Sequence, residues 1–298
     1  MILTVTPNSA LDVTYTVDGL RPDSVHRVRE MRARAGGKGI NVARVLHTLG
    51  EDVRAVATAG GATGNAFTAE LSEAGIPADL VPVGGETRRT TTILSTVDDT
   101  VTLFNEPGPD LSAQEWTSLV DTVGRHTPDV LVCSGSLPPG AGGYAELLTT
   151  GVPAILDTSG AALTAGLSGR PSVVKPNLAE LREVTGRADP VAAATELRSR
   201  GAGTVVVSLG ADGLLAVTEH GVWQAAPSKT LTGNATGAGD AAVAGIALGI
   251  AGGEPWPGIL RRAVALSGAA VLGPLAGDID LAHYRRELGA VVVRALPN

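Results

Sequence analysis

Short runs of apolar residues recur along the chain, separated by longer segments in which apolar positions repeat every three or four residues. Six of these runs predict β-strands, at residues 2–5, 53–58, 130–133, 154–156, 172–174 and 204–209. Continuous apolar strands are buried on both faces, and their alternation with helices is typical of parallel βαβ units. We therefore predict an α/β fold with a doubly wound, mainly parallel sheet flanked by helices, whose ligands collect beyond the carboxyl ends of the strands.

Two stretches, at about residues 11–34 and 87–104, follow a different pattern. They are rich in Thr, Val and Arg and alternate partly between apolar and polar residues, as expected of exposed antiparallel strands. The chain has no internal repeat, no low-complexity tract and no clear linker. We therefore predict a single domain over residues 1–298 into which these two stretches are inserted.

Composition narrows the class of ligand. The chain of 298 residues has a formal net charge of -7 and only 3% aromatic residues, and it contains no basic block with stacking aromatics. This argues against a nucleic-acid surface and favours a small-molecule ligand. The longest apolar stretch, residues 241–252, is too short to span a membrane, and the start of the chain resembles a strand more than a signal peptide.

Cys133 is the only cysteine, which excludes an internal disulfide and a cysteine-rich metal site. It ends an apolar run, so we predict a small buried residue and not a nucleophile. This cysteine usage favours a cytoplasmic protein.

The clearest candidate for chemistry is Gly237-Ala238-Gly239-Asp240, where a polar segment gives way to an apolar one. Glycines let backbone N–H groups approach a ligand, Thr236 is placed to cap a helix, and a helix start favours phosphate. A carboxylate beside a phosphate-binding turn repels the phosphate, so Asp240 makes better sense as the base that deprotonates an attacking hydroxyl. The plainer alternative is a glycine turn with an acidic residue in the first turn of a helix.

A second glycine-rich motif, residues 36–44, precedes a helical pattern. A Walker P-loop would need Gly at position 32 and Ser or Thr after Lys38, whereas this chain has Arg32 and Gly39 there, so this motif is not a P-loop. Several further polar segments follow directly on predicted strands, at residues 134–136, 157–158, 175–177 and 209–210. Since the carboxyl ends of parallel strands meet at one edge, we expect these loops to form one cleft.

Taken together, the motifs resemble the ribokinase and phosphofructokinase-B sugar kinases over essentially the whole chain. The resemblance is carried by residues 36–44, 175–180, 207–213 and 237–240, in that order and spacing. Residues 6–12, 105–109 and 135–140 look most like the branch that includes 1-phosphofructokinase and tagatose-6-phosphate kinase. The resemblance implies a ribokinase-like fold in which residues 11–34 and 87–104 form a small β-sheet lid over the sugar site.

The family resemblance also assigns roles to residues. Asp240 matches the catalytic base, and the amides of Gly237, Ala238 and Gly239 match the anion hole. The candidates for binding the sugar phosphate are Asp12, Gly37, Lys38, Asn41, Arg88, Ser136 and Arg27. Many 1-phosphofructokinases follow a Thr-Arg pair with Asn-x-Lys, whereas in this chain Thr87-Arg88 is followed by Arg89 and three threonines. Ser9 also departs from the family's usual Asn-Pro at this place.

The nucleotide site is expected in the second half of the chain. The candidates are Lys175, Asn177, Ser208, Gly210, Gly213, Thr236 and Ser267. In the family an Asn-x-x-Glu element organises magnesium and the triphosphate, and Glu180 would act there through water. Asn177 and Glu180 also have the spacing of a helix capping box, and the two interpretations are compatible.

The resemblance implies ATP and Mg²⁺ as cofactors, leaves a monovalent cation requirement open, and implies a homodimer formed through the lid. The expected reaction is transfer from ATP to fructose 1-phosphate, with tagatose 6-phosphate and fructose 6-phosphate as alternative acceptors. Two alternatives belong to other classes. One is a non-catalytic sugar-phosphate-binding protein, and the other is a dehydrogenase, because residues 237–242 formally match Gly-x-Gly-x-x-Ala, although no buried strand precedes them.

Overall fold

The computed structural model describes residues 1–297 and contains fourteen strands and ten α-helices within that range. The strands are β1 (Ile2–Thr6), β2 (Ala10–Val17), β3 (Glu30–Gly36), β4 (Val53–Ala59), β5 (Ala78–Pro82), β6 (Arg88–Ser95), β7 (Thr100–Asn105), β8 (Val130–Ser134), β9 (Ala154–Asp157), β10 (Val173–Val174), β11 (Thr204–Ser208), β12 (Leu214–Thr218), β13 (Gly221–Ala226) and β14 (Val292–Leu296). The helices are α1 (Lys38–Thr48), α2 (Gly61–Glu73), α3 (Ala113–Gly124), α4 (Tyr144–Leu147), α5 (Gly160–Gly166), α6 (Leu178–Thr185), α7 (Pro190–Ser199), α8 (Ala238–Ala251), α9 (Trp256–Val271) and α10 (Leu281–Glu287).

Ten strands form one large sheet in the order β14-β13-β12-β11-β10-β9-β8-β1-β4-β5. The seven strands from β11 to β5 run parallel, and β12, β13 and β14 extend the sheet as an antiparallel edge. All six predicted strands are present, although Ser172 lies outside β10. The predicted fold class, a doubly wound and mainly parallel sheet, is confirmed.

The position of the ligand crevice along this sheet is set by the point at which the strand order reverses. Ile2 in β1 pairs with Val53 on one side and with Val130 on the other. From β1 the chain adds strands β4 and β5 in one direction, and β8 to β11 in the other. A crevice therefore opens at the carboxyl ends of β1 and β8, which is where ligands bind in sheets of this kind.

Helices cover both faces of the large sheet, as the fully apolar strands require. Helices α1, α2, α8, α9 and α10 pack on one face, and α3 to α7 pack on the other. All five residues of β1 are buried. Cys133 is also fully buried, as predicted from its place in an apolar run. No helix among residues 1–297 is both long enough and apolar enough to cross a membrane.

The remaining four strands form a small separate sheet, in the order β3-β2-β6-β7. This is the lid sheet that the resemblance implies, and its strands fall at the two predicted stretches. The prediction of antiparallel strands is wrong for its central pair, because β2 and β6 run parallel. Both strands follow a parallel strand of the large sheet, β1 and β5 respectively, so both leave the same edge in the same direction.

Helix α8 packs closely on α9 because the residue of α8 that faces α9 is a glycine, Gly245. A Cβ atom at Gly245 would lie 2.7 Å from the Cα of Ala263 and 2.9 Å from its backbone nitrogen. Backbone atoms cannot turn aside as a flexible side chain can, so any side chain at this position forces the helices apart. The first turn of α8 carries Asp240, so this contact also fixes the position of the candidate base.

We predict that Gly245→Ala destabilises the protein by about 1–3 kcal/mol, because the added methyl group overpacks the contact between α8 and α9. Gly124→Ala is the matched control, since Gly124 lies in α3 with no atom within 4 Å of its Cβ position. The control should be neutral or stabilising, because alanine restricts the unfolded chain. Urea unfolding of both variants measures this difference, and equal stability of the two would contradict the packing argument.

Candidate active site

Helix α8 begins at the end of the glycine turn, one residue later than the sequence suggested. Gly237 is its N-cap, with φ 83° in the left-handed region, and no side chain caps the helix. The predicted capping role of Thr236 is therefore wrong. Thr236 is exposed, and its amide donates to Oδ1 of Asn234 at 3.0 Å. The positive φ at Gly237 reverses the chain direction, so the side chain before it does not reach the first turn.

Asp240 lies in the first turn of α8 and is only 7% exposed. Its Oδ2 accepts a hydrogen bond from Nδ2 of Asn41 at 2.8 Å, so the two glycine-rich motifs meet directly in the fold. Burial, together with the nearby negative charge of Asp157, raises the pKa of Asp240 to about 6. A carboxylate with this pKa is ionised at pH 7 and is a stronger base than an exposed aspartate.

The backbone amides at the start of α8 were predicted to form an anion hole. The amides of Gly237 and Gly239 make no hydrogen bond within residues 1–297, so both can donate to a ligand. The amide of Ala238 donates to the carbonyl oxygen of Ala235 at 3.2 Å, and an anion would compete with that bond. A Cβ at Gly237 would lie 3.0 Å from the Cα of Ala276, so the loop after α9 packs against this turn.

Three charged side chains meet beside Asp240. Nζ of Lys38, at the start of α1, donates to Oδ1 of Asp157 at 3.1 Å. Nζ of Lys175 lies 3.5 Å from the same oxygen. Although burial disfavours each charge, Lys175 and Lys38 hold the pKa of Asp157 below its usual value, and Asp157, Asp240 and Glu180 hold that of Lys38 above its own.

The lid covers a small cleft of about 60 Å³ that contains Asp12. The cleft lies between the lid strands, the segment before α8 and the loop after α9. A side chain at Gly36 would collide with the carboxylate of Asp12 and displace it from this position. Burial raises the pKa of Asp12 to about 6, although the charges of Arg88 and Arg34 and a hydrogen bond from Thr90 oppose the shift.

The remaining candidates for binding the acceptor lie at different distances from this cleft. Arg88 is not part of its wall. Its guanidinium donates at 3.3 Å to the hydroxyl of Thr90, which lines the cleft, and to the carbonyl oxygens of Asn8 and Glu106. Ser136 accepts a hydrogen bond from Nδ2 of Asn8 at 3.0 Å, which joins the loops after β1 and β8. Arg27 is exposed in the loop between β2 and β3 and has no ion pair or hydrogen bond within the described chain.

A larger cavity of about 390 Å³ lies on the other side of the glycine turn, within the size range of small-molecule sites. One end is apolar, with Ala242, Val264 and Val271, and the other carries the glycine turns. Five predicted nucleotide residues line it: Asn177, Ser208, Gly210, Gly213 and Ser267. Lys175 and Thr236 are not part of its wall. Thr236 lines the lid cleft instead.

Asn177 and Glu180 form the capping box that their spacing predicted. Oδ1 of Asn177 accepts from the amide of Glu180, and Oε2 of Glu180 accepts from the amide of Asn177, each at 2.8 Å. Oε1 of Glu180 remains available to a water molecule. Residues 1–297 contain no cluster of three His, Cys, Asp or Glu side chains that could hold a metal ion directly. This donor set fits a magnesium ion held chiefly by phosphate oxygens and water.

Residues 5–281 match the model of the pfkB family carbohydrate kinases. The chain belongs to this family. It is therefore a sugar kinase, a phosphotransferase with an alcohol group as acceptor, and the family implies ATP as the phosphoryl donor. The non-catalytic and dehydrogenase alternatives do not fit this assignment.

Two curated relatives and one solved structure illustrate the similarity of this pfkB kinase to known proteins. The 1-phosphofructokinase of Haloferax volcanii is 40% identical over 253 residues, covering 82% of each chain. The ATP-dependent 6-phosphofructokinase isozyme 2 of Mycobacterium tuberculosis is 37% identical over 287 residues, covering 92% of this chain and 84% of that protein. Phosphofructokinase-2 of Escherichia coli, solved in complex with potassium, has a TM-score of 0.91 at 31% identity and covers 97% of this chain and 98% of its own.

Two residues of this pfkB kinase were not among the predicted site residues. Asp157 is the last residue of β9, and the sequence marks it only as a polar residue after an apolar run; its partner Lys38 is 119 positions away. Arg34 pairs with Asp12 across the lid strands and with Oδ1 of Asp278 at 3.0 Å. An arginine on an exposed, alternating strand carries no local signal that it contacts a loop 244 positions away.

We predict that Asp240→Asn lowers kcat by about 10²–10⁴-fold, because the amide cannot accept the proton of the acceptor hydroxyl. The variant should nevertheless be more stable at pH 8, by up to about 3 kcal/mol, since the buried negative charge is removed. A folded-state pKa of about 6 means that the wild-type penalty is absent below about pH 4 and grows up to about pH 6. The two proteins should therefore be equally stable at pH 4.

Urea unfolding at both pH values, together with a coupled kinase assay, measures the two effects. Unchanged activity would end the assignment of Asp240 as the base. A variant that is less stable than the wild type at pH 8 would contradict the raised pKa.

Proposed function

We propose that this kinase transfers the γ-phosphoryl group of ATP to the free primary hydroxyl of a fructose monophosphate, with fructose 1-phosphate as the preferred acceptor and fructose 1,6-bisphosphate as the product. The observation that carries the proposal is the position of Asp240. It is buried in the first turn of α8, next to Gly239, which lines the cavity of about 390 Å³. Thr236, just before this turn, lines the cleft that contains Asp12. A base at this junction can reach a hydroxyl on one side while the phosphate lies on the other.

In this proposal the chain supplies three functions at the junction. Asp240 accepts the proton of the attacking hydroxyl, and its hydrogen bond from Asn41 fixes the carboxylate in place. The free amides of Gly237 and Gly239 donate to the oxygens of the transferring group. Lys38 and Lys175 place positive charge beside the same point, which offsets the negative charge that gathers there.

The acceptor is held in the cleft under the lid. The half-buried carboxylate of Asp12 accepts hydrogen bonds from neighbouring sugar hydroxyls, and Gly37 lets the backbone approach the ring. A phosphorylated acceptor also needs cations, because charge-assisted hydrogen bonds hold a phosphate against water. Arg88 has this role, since its guanidinium donates to Thr90 in the wall of the cleft, and Ser136 is linked to it through Asn8.

ATP occupies the larger cavity, with its base at the apolar end and its phosphates on the glycine turns at residues 210–213 and 237–239. Magnesium, when bound, would neutralise phosphate charge. Glu180 would hold it through water, because one of its carboxylate oxygens is already engaged with Asn177. A monovalent cation requirement is supported only by the potassium complex of the Escherichia coli protein.

Fructose 6-phosphate is the second candidate acceptor. The relative named 6-phosphofructokinase covers 92% of this chain, more than the 82% covered by the relative named 1-phosphofructokinase, although at slightly lower identity. Both acceptors require a polyol site, one anion site and one base, and both give the same bisphosphate. The resemblance of residues 6–12, 105–109 and 135–140 to the branch that includes 1-phosphofructokinase is our reason for ranking fructose 1-phosphate first.

The experiment that decides the acceptor is a comparison of kcat/KM across fructose 1-phosphate, fructose 6-phosphate, tagatose 6-phosphate and unphosphorylated fructose, with ATP and magnesium. We expect the highest kcat/KM with fructose 1-phosphate. A preference for fructose 6-phosphate would replace our first candidate by the second. Turnover restricted to unphosphorylated sugars would contradict the anion site.

We predict that Arg88→Met raises KM for the phosphorylated acceptor by about 10- to 100-fold, because it removes a hydrogen bond to a charged group. KM for ATP should change little. Arg285→Met is the matched control, since Arg285 is exposed on α10 and lies outside both clefts. Steady-state kinetics with each substrate varied measures the effect, and an unchanged acceptor KM in Arg88→Met would overturn this assignment.

We further propose that the single unit of residues 1–298 pairs through its lid to form a homodimer. The lid and its loops expose seven large apolar side chains: Val25, Val28, Met31, Val97, Val101, Leu103 and Phe104. Several large exposed apolar side chains on one small sheet are typical of protein interfaces. Arg27 lies among these residues, so dimerisation would bury it or bring it towards the second copy.

We predict that Phe104→Asp, at a side chain that is 56% exposed, converts the dimer into monomers at micromolar concentration. A charge inside a desolvated apolar interface is costly. Leu272→Asp is the control, because Leu272 is 40% exposed at the end of α9, outside the lid. Sedimentation velocity should show a dimer for the control and a monomer for Phe104→Asp. A monomeric wild type, or a dimeric Phe104→Asp, would contradict pairing through the lid.

A further inference from the structure

The carboxylate of Asp157 is fully buried, with an exposed fraction of 0%, at the carboxyl end of β9. One of its oxygens, Oδ1, contacts both Nζ of Lys38 at 3.1 Å and Nζ of Lys175 at 3.5 Å. The buried carboxylate and the two buried or half-buried ammonium groups stabilise one another, because each charge alone would be costly to bury. The proposed chemistry gives Asp157 itself no contact with either substrate.

The two lysines belong to different halves of the site. Lys38 is the first residue of α1 and follows the glycine motif at the sugar side. Lys175 follows β10, two residues before the capping residue Asn177, and its Nζ lies 3.5 Å from the Cβ position of Gly239. A single oxygen atom of Asp157 therefore contacts one lysine from the acceptor side and one from the nucleotide side.

Removal of the Asp157 charge would leave an unfavourable arrangement. The two ammonium groups lie within about 6.6 Å of each other, the sum of their distances to the shared oxygen. Lys175 is only 4% exposed, so water screens this repulsion poorly. Without Asp157, we expect Nζ of Lys38 to lose its fixed position and to shift towards Asp240, the negative charge that remains beside it.

We propose that Asp157 is a positioning residue for phosphoryl transfer: its buried carboxylate fixes Lys38 and Lys175 at one point between the acceptor and nucleotide sites, and sets the charge that surrounds the base. This proposal rests on the proposed role of Asp240, but it does not depend on which sugar is the acceptor. It predicts that Asp157 affects both kcat and the pH dependence of the reaction.

The direction of the pH effect follows from the groups around Asp240. Lys38 and Asn41 face it from α1, Lys175 from the end of β10, and Asp157 from the end of β9. Asp157 is the one negative charge in this set. Its replacement by Asn removes a repulsion, so the pKa of Asp240 should fall below about 6, while burial still holds it above its ordinary value.

The test is the pH profile of kcat/KM for Asp157→Asn, with the acceptor that the wild-type enzyme uses best. We expect kcat to fall about 10²-fold, as for a misplaced catalytic group, and the acidic limb of the profile to move to lower pH. Lys38→Met should move the same limb to higher pH, since it removes a positive charge beside Asp240. A merely structural role would not give shifts of opposite sign.

Ser134→Ala is the control. Ser134 pairs with Asp157 across β8 and β9 and is fully buried, with a hydroxyl that has no partner within the described residues. The variant removes a buried polar group beside Asp157 without changing the charge, so the acidic limb should stay in place. A shift as large as that of Asp157→Asn would assign the effect to packing and overturn the proposal.

A carbon-detected NMR titration of the aspartate carboxyls gives a readout without turnover, with Asp240 assigned by the signal lost in Asp240→Asn. A lower pKa of Asp240 in Asp157→Asn supports the proposal even if no acceptor in the panel is phosphorylated. In that case the proposed function fails, and the positioning role of Asp157 does not. An unchanged pKa and an unchanged limb overturn the proposal. If Asp157→Asn does not fold, the Lys38→Met titration decides, and a limb that stays in place contradicts it.

Discussion

The ionised form of Asp240 is the constraint on which the site depends. A carboxylate that is only 7% exposed must be stabilised by its neighbours if it is to be ionised at pH 7. Asn41 donates a hydrogen bond to it, and the positive charges of Lys38 and Lys175 also favour its ionised form. The stabilisation is incomplete, since burial and Asp157 keep the pKa of Asp240 near 6. A carboxylate that is ionised yet readily protonated suits a base in phosphoryl transfer.

The sheet provides the geometry that brings these groups together. Asp157 ends β9 and Lys175 follows β10, and these parallel strands end at one edge of the large sheet. Lys38 begins α1, which follows the lid strand β3 and packs against β1. Asp240 enters from α8, which lies close to α9 because Gly245 has no side chain. The left-handed Gly237 begins this helix, and Ala238 and Gly239 after it line the larger cavity. A shift of any of these elements would move the base relative to both substrates.

The sequence predicted the parts of this arrangement that depend on local signals. Apolar runs located the six buried strands, and the spacing of Asn177 and Glu180 predicted a capping box. It failed where the outcome depends on distant contacts or on a single backbone angle. The positive φ of Gly237 displaced the cap from Thr236, the parallel pairing of β2 and β6 follows from the edge at which both insertions leave the sheet, and Asp157 meets Lys38 across 119 positions.

A crystal structure of the protein with a non-hydrolysable ATP analogue, magnesium and fructose 1-phosphate tests the central claim most directly. The account predicts that a carboxylate oxygen of Asp240 lies within about 3 Å of the free primary hydroxyl, as required of a general base. The γ-phosphate should accept hydrogen bonds from the amides of Gly237 and Gly239. The account would be contradicted if the hydroxyl lay out of reach of Asp240 and another acidic side chain lay between that hydroxyl and the γ-phosphate.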